Sequence, residues 1–287
     1  MRRRRVIGVR AVPGASRPTG RRDDLLAVEE PLEVRVNGES FSVTMRTPGD
    51  DFDLVAGFLV SEGLIATASQ LRTMRYCSGR DESGVQTYNV IDAALDATAA
   101  LPATASARHV YTSSSCGICG TASIDAVSKA SRFSLADDHS VIGIATLLRL
   151  PTMLRENQTL FDRTGGVHAA GLFTTEGDLL CLREDVGRHN AVDKVIGWAL
   201  RDDRLPLAGT VLQVSGRASF ELVQKAQLAG IPVLAAVSAP SSLAADLADT
   251  GGLTLAAFSR GDSINVYTHP ERVGGIDAGI DGDAAPR

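Results

Sequence analysis

No apolar run in this chain of 287 residues approaches the ~18–20 residues that a membrane-spanning helix needs, which excludes a helical transmembrane role. Val6-Ile7-Gly8-Val9 is likewise too short for the apolar core of a signal peptide. Cysteine is scarce. Four cysteines, Cys77, Cys116, Cys119 and Cys181, are too few for a disulfide framework at this length. The implied compartment is a reducing cytosol. A net charge of -5 gives no electrostatic case for nucleic-acid binding, and no internal repeat is present.

The charge is unevenly spread. Residues 1–22 hold eight arginines (Arg2, Arg3, Arg4, Arg5, Arg10, Arg17, Arg21 and Arg22) and no acid. They read as a disordered basic tail, with a transit peptide the alternative on composition. The Gly, Asp and Ala-rich end, residues 274–287, also reads as disordered.

Between the tails, hydrophobic patterning divides the chain in two. Leu32 to Val36 and Phe41 to Met45 alternate apolar and polar around Asn37-Gly38, a hairpin signal. Asp50 to Ile65 carries apolar residues at helical spacing (Phe52, Val55, Ala56, Leu59, Val60). With strands expected at Leu71–Tyr76 and Val85–Ile91, residues 23–110 form a small α+β unit on antiparallel strands, ending in a linker-like stretch, Ala93 to Ala107. Residues 111–273 read differently. Helical runs over Thr121–Ala130, Ile144–Phe161, Arg188–Leu200, Ala218–Leu228 and Ser242–Ala248 alternate with apolar strands at Gly166–Phe173, Leu179–Arg183, Thr210–Val214, Val233–Val237, Leu253–Phe258 and Ile264–Tyr267. That alternation predicts an α/β domain with a largely parallel sheet covered on both faces.

The densest chemistry lies in Ser113-Ser114-Ser115-Cys116-Gly117-Ile118-Cys119-Gly120-Thr121, two thiols among small residues ahead of an expected helix. A helix start favours the thiolate, the nucleophilic form of cysteine. Glycines beside each thiol leave room for a bulky reacting group. Cys77 and Cys181, in strand-like apolar surroundings, read as small buried hydrophobes. Two strand-to-helix turns, Ser215-Gly216-Arg217 and Ser238 to Ser242, suit a phosphate, although serine at a helix start also serves as an ordinary cap. Phe258-Ser259-Arg260-Gly261-Asp262-Ser263 offers a ring, a cation, an acid and hydroxyls, a set that a guanine nucleotide would use and that a plain hairpin turn would also explain. His189 sits in a polar run, Glu184 to Asn190, opening a helix; His168 reads as a core or edge histidine.

Zinc needs a second ligand pair, and none has the spacing. A nucleoside-deaminase site lacks its proline before Cys116 and its His-x-Glu. A thioredoxin-like dithiol normally follows a first strand.

Ser114 to Gly120 resembles the signature of the formate dehydrogenase accessory sulfurtransferases, the FdhD family. Further matching segments are Thr164 to Ala170, Arg183 to Lys194, Ser215 to Glu221, Phe258 to Asp262 and Asn265 to Pro270. The resemblance covers roughly Glu30 to Arg272. The resemblance implies a cytidine-deaminase-like three-layer α/β domain without the deaminase metal, preceded by the smaller α+β subdomain. It implies a cytoplasmic, homodimeric sulfur carrier. Cys116 would take sulfur as a persulfide from a cysteine desulfurase and pass it to bis-molybdopterin guanine dinucleotide (Mo-bis-MGD) destined for formate dehydrogenase, with Cys119 as resolving or relay thiol. Phe258, Ser259, Arg260, Gly261, Asp262 and Ser263 match the cofactor-binding segment, and His189 and Arg217 are candidate helpers near the diphosphate. A non-catalytic cofactor chaperone and a zinc-binding module are the alternatives.

Overall fold

A computed structural model describes residues 1–12, 15–77, 79, 84, 86–100, 110–111 and 131–276 of the chain. Cys116, Cys119, the expected helix Thr121–Ala130 and most of the expected terminal tail (residues 277–287) lie outside the described residues.

The chain begins with an antiparallel pair, β1 (Arg2–Val12) and β2 (Ala15–Leu26), where a disordered basic tail was expected. The arginine run has an answering acid pair: Arg4 stands opposite Asp24 and Arg5 opposite Asp23, and opposite charges across a ladder favour pairing. A second hairpin, β3 (Glu30–Val36) and β4 (Glu39–Arg46), follows as expected. Its turn residues Asn37 and Gly38 have φ of 52° and 88°, the positive values that a two-residue hairpin loop requires.

Next come α1 (Asp51–Ser61), β5 (Leu71–Tyr76), β6 (Val90–Leu95) and β7 (Val110–Tyr111). β6 starts later than the expected strand and takes in Ala93 and Ala94, small residues that blur an apolar pattern. The sheet order is β5-β6-β3-β4-β7, and it is mixed rather than antiparallel, since β3 with β6 and β4 with β7 run parallel.

The second half holds β8 (Ile142–Gly143), α2 (Ile144–Glu156), α3 (Thr159–Thr164), β9 (His168–Thr174), β10 (Leu179–Asp185), α4 (Arg188–Arg201), β11 (Thr210–Val214), α5 (Phe220–Leu228), β12 (Val233–Ala236), α6 (Ser242–Thr250), β13 (Thr254–Arg260), β14 (Ser263–Val266) and β15 (Val273–Gly274), which pairs with β8. The single helix expected over Ile144–Phe161 is broken at Asn157-Gln158 into α2 and α3. Six strands form one sheet in the order β10-β9-β11-β12-β13-β14. Parallel pairing is confined to β11 with β12 and β12 with β13, so the sheet is mixed rather than largely parallel. β9 and β14 return by antiparallel pairing instead of a helical crossover.

Both faces of this sheet are covered, as period-two alternation requires of a buried sheet. Leu172, Leu212 and Leu234 point into the cluster shared with α1, α4 and α5. Their neighbours Phe173, Val211 and Val233 point to Leu147, Leu150 and Leu154 of α2. The first cluster also takes in Leu32 and Val34 of β3, so the two halves share one core.

The join is the crossing of α1 and α4. A methyl group on Gly57 would lie 1.8 Å from the Asp193 carbonyl oxygen, and one on Gly197 would lie 1.8 Å from that of Asp53. The helices thus touch backbone to backbone at a place where a Cβ has no room. Polar side chains then lock the crossing. Asp53 pairs with Arg183 at 2.8 Å and with Arg201. Asp193 accepts from the Lys225 ammonium at 2.7 Å and the Ser61 hydroxyl at 2.6 Å. Asp185 holds Lys194 at 2.8 Å and the backbone N–H of Thr47 at 3.0 Å, pinning the end of β4 to α4.

Gly197→Ala forces the two helices apart by about 1.5 Å and opens the core, an overpacking and cavity effect expected to cost about 3 kcal/mol or more. Urea unfolding should show the lost midpoint, or the variant should fail to accumulate as folded protein. A midpoint unchanged from the parent would contradict the crossing.

Candidate functional site

The parallel strands end together, and ligands of open α/β sheets sit outside such carboxyl ends. A cavity of about 650 Å³ lies there. Its floor comes from the sheet: His168 at the head of β9, Ser215 after β11, Val237 after β12, and Ser259 and Arg260 at the end of β13. The end of α2, Phe161 of α3 and the Gly165-Gly166 turn close the other side. The volume falls within the ~300–1,000 Å³ of small-molecule sites.

Each floor residue is placed by a local device. The Ser215 hydroxyl accepts from the Ala169 N–H at 2.9 Å, extending the β9–β11 ladder by one rung. The two strand-to-helix turns are joined to each other: the Ser238 N–H donates to the Gly216 carbonyl at 3.2 Å, and the Ser241 hydroxyl caps α6 by accepting from Ala244. Serine there does capping work, as one of its two expected readings held.

At the end of β13 the register slips, and Phe258 adopts φ of 54°. A non-glycine residue in that left-handed region is strained by about 1–3 kcal/mol, and such strain gathers at functional sites. The kink turns Phe258 outward, 38% exposed, and Ser259 inward, 1% exposed. The Ser259 hydroxyl is buried without a hydrogen-bond partner among the described residues. Arg260 is exposed at the cavity and has no acidic partner among the described residues.

Of the six residues expected to hold a cofactor, the structure brings Ser259 and Arg260 to the cavity. Phe258, Gly261, Asp262 and Ser263 form the exposed turn beyond it. Arg217 is exposed and does not line the cavity. His189 packs against α5, its Nε2 2.9 Å from a Glu221 carboxylate oxygen and 3.4 Å from the Ser219 hydroxyl. The polar run Glu184 to Asn190 is largely spent on the buried contacts that hold α4. Cys181 is 6% exposed, and burial pushes its thiol up to about 12; Cys77 is half-buried.

Four contributors escaped the sequence reading. Gln158, Phe161 and Arg155 belong to the wall made by the α2–α3 break, which the periodicity ran straight through. An Asn-Gln pair ahead of a threonine was the available break signal. His168, read as a core or edge residue, is half-buried and faces the cavity. Beside it stands Arg188, whose Nε is buried without a partner among the described residues. A Cβ on Gly216 would touch both, at 3.5 Å from the His168 Nδ1 and 3.7 Å from the Arg188 Cδ. Burial lowers the His168 pKa, and the Arg188 charge lowers it further. The ring is therefore neutral at pH 7, able to donate through one nitrogen and accept through the other.

That electrostatics has a direct test. The His168 ring should titrate below the ordinary 6.5 in ¹H–¹³C NMR, and Arg188→Gln should move its midpoint upward. The folded ring resists protonation, so this group's contribution to stability is present above pH 6.5 and falls away as acid charges the unfolded chain. A midpoint at or above 6.5 in the parent would remove the claim.

Comparison with known proteins covers most of the chain. The FdhD/NarQ family profile matches residues 27–274. A sulfur carrier protein FdhD from Mycolicibacterium paratuberculosis is 56% identical over 272 residues, covering 95% of this chain and 98% of its own. One from Streptomyces coelicolor is also 56% identical, covering 94% and 95%. A crystal structure of a putative formate dehydrogenase accessory protein from Desulfotalea psychrophila superposes with a TM-score of 0.70 at 27% identity, covering 94% of this chain and 99% of that one. With the match running through both sheets and the cavity between strand ends and helices, the chain belongs to the FdhD/NarQ family.

Proposed function

We propose that this chain is a cytosolic sulfurtransferase of the carrier type. Cys116 takes sulfur as a persulfide from a cysteine desulfurase and passes it to Mo-bis-MGD bound as cargo, on its way to formate dehydrogenase. The observation that carries this reading is the 56% identity, over 95% of the chain, to a relative named as a sulfur carrier. The cytidine-deaminase-like description of the larger domain and a homodimeric assembly belong to the same reading.

The chemistry balances without a further reactant in the loading step. The Cys116 thiolate attacks the terminal sulfur of the donor persulfide, the donor S–S bond breaks, and the desulfurase cysteine leaves as thiolate. In the second step the Cys116 S–S bond breaks, Cys116 leaves as thiolate, and the cargo supplies the two electrons that turn sulfane sulfur into sulfide. Cys119 can take the persulfide onward by the same exchange.

The cavity supports the cargo half of the reading. The Ser259 hydroxyl, unpartnered among the described residues, calls for a polar ligand, and the Arg260 cation, unpaired among them, suits a phosphate. Arg188, with its Nε unsatisfied, adds positive charge beside them. These same features would equally serve a chaperone that binds cofactor and moves no sulfur. Loading separates the two.

Incubation with a desulfurase and cysteine should add about 32 Da to Cys116, removable by reductant. Cys116→Ala should lose the adduct and abolish formate dehydrogenase maturation while leaving folding intact. A clean Cys116 thiol under active loading, or maturation surviving in the variant, would instead favour the chaperone.

A further inference from the structure

The charge of this molecule is divided between two bodies. The whole chain carries 29 Lys and Arg against 34 Asp and Glu, and eight of those arginines lie in residues 1–22 with no acid among them. Without them the balance is 21 against 34, a net charge of -13 on the remainder. The basic part is a two-stranded sheet of its own, β1 with β2. Two strands alone bury too little to be firmly stable in water.

The ribbon leaves both charge and apolar surface in solvent. Arg2 to Arg5 and Arg10 are exposed on β1, Arg21 and Arg22 on β2. Among the described residues, only Arg2 of these forms an ion pair, with Glu30 at 3.5 Å. In the ladder Ile7 stands opposite Arg21, and strand alternation puts Ile7 on the face of Arg3 and Arg5. Ile7 and Val9 are 59% and 64% exposed. Exposed aliphatic side chains set among arginines are the composition of a protein interface.

Its attachment says where that interface lies. β2 rests against α3, and a Cβ on Gly166, which lines the cavity, would meet the Ala27 side chain at 3.8 Å. The root of the ribbon is therefore at the cavity rim. Arg10 stands on the order of 30 Å farther along the ladder, at ~3.4 Å per residue, which is several times the Debye length of ~8 Å at physiological salt. Charge so far out does not steer a small anion into the cavity. It reaches a large partner seated over the rim.

We propose that the β1–β2 ribbon is a docking arm for the protein that receives the cargo, gripping an acidic and partly apolar face of that protein beside the cavity. The inference rests on the cavity being the cargo site and the chain a carrier, and it adds the surface at which delivery occurs. Nucleic acid and anionic bilayers are rival occupants, but both extend past the arm and meet a body at -13, which repels them. A local acidic patch on a protein meets the arm alone. A second copy of this chain is acidic too, but seated there it covers the rim that cargo must cross.

The probe is formate dehydrogenase from the same organism, purified without its molybdenum cofactor, with binding to the full chain followed by calorimetry. Replacing Arg3, Arg5, Arg10, Arg21 and Arg22 together by Gln should weaken it tenfold or more. Raising salt from about 50 to about 300 mM should weaken the parent by a similar factor and the variant far less. Ile7→Thr should weaken binding at the higher salt. GDP affinity and persulfide loading of Cys116 should stay at the parent's level. Equal dehydrogenase affinity in parent and variant, no binding by the parent, or loss of GDP affinity in the variant each overturn the proposal. So do tighter binding of the parent to a DNA duplex or to phosphatidylglycerol vesicles, and self-association that the Gln variant abolishes. Should the variant fail to fold, the parent decides: affinity insensitive to salt overturns the arm. Persulfide loading is read separately, so the sulfur-carrier reading stands or fails on its own.

Discussion

The contact on which the rest of the molecule depends is the crossing of α1 and α4, where two glycines let two backbones meet. Each helix carries an aspartate one turn before its glycine, Asp53 before Gly57 and Asp193 before Gly197. Each aspartate's carbonyl fills the space that a Cβ on the other helix's glycine would need. The arrangement is reciprocal. It brings the α+β half and the α/β half close enough to share a core, and it buries both carboxylates. Buried ion pairs such as Asp193 with Lys225 contribute little net stability over apolar packing, but removing one member leaves a charge stranded. Their physical effect is to make one crossing register acceptable and its neighbours costly.

From that fixed crossing the site follows by geometry. α4 begins directly after β10, so anchoring α4 sets β10 and, through the ladder, β9. β9 runs antiparallel to β11, which places His168 at the edge where β11, β12 and β13 finish. Two walls then differ in kind. The sheet side is held by ladder bonds and carries a strained kink at Phe258, while the helical side is made by a break where Glu184 accepts from the Leu160 and Phe161 N–H groups. Strain of a few kcal/mol at Phe258 persists because both flanking segments are held by ladder bonds.

Much of this was legible in the residues. The Asn37-Gly38 hairpin, α1, and the alternation from β9 to β14 show in hydrophobic period and turn chemistry, which are local signals. Strand direction is not local. A strand followed by a helix suggests a parallel crossover, yet β9 and β10 pair as a hairpin and β14 folds back on β13, so the sheet came out mixed. The β1–β2 hairpin was missed because arginines mask strand alternation and its pairing acids lie some twenty residues away. At the site, Ser259 and Arg260 were visible as a polar cluster, but which of the cluster turns inward depends on one backbone angle at Phe258. Gln158, part of the cavity wall, was not singled out because the cap of α3 comes from Glu184, a residue on another strand. The family was legible from the segments spread along the chain, and the comparisons agree with it.

The burial of Cys181 has a consequence for traffic. With its thiol raised to about 12, the ionised fraction at neutral pH is on the order of one part in 10⁵. A group so rarely anionic is a poor acceptor of sulfane sulfur and a poor partner for scrambling. Sulfur exchange at neutral pH therefore passes Cys181 by, because solvation alone keeps this buried thiol protonated.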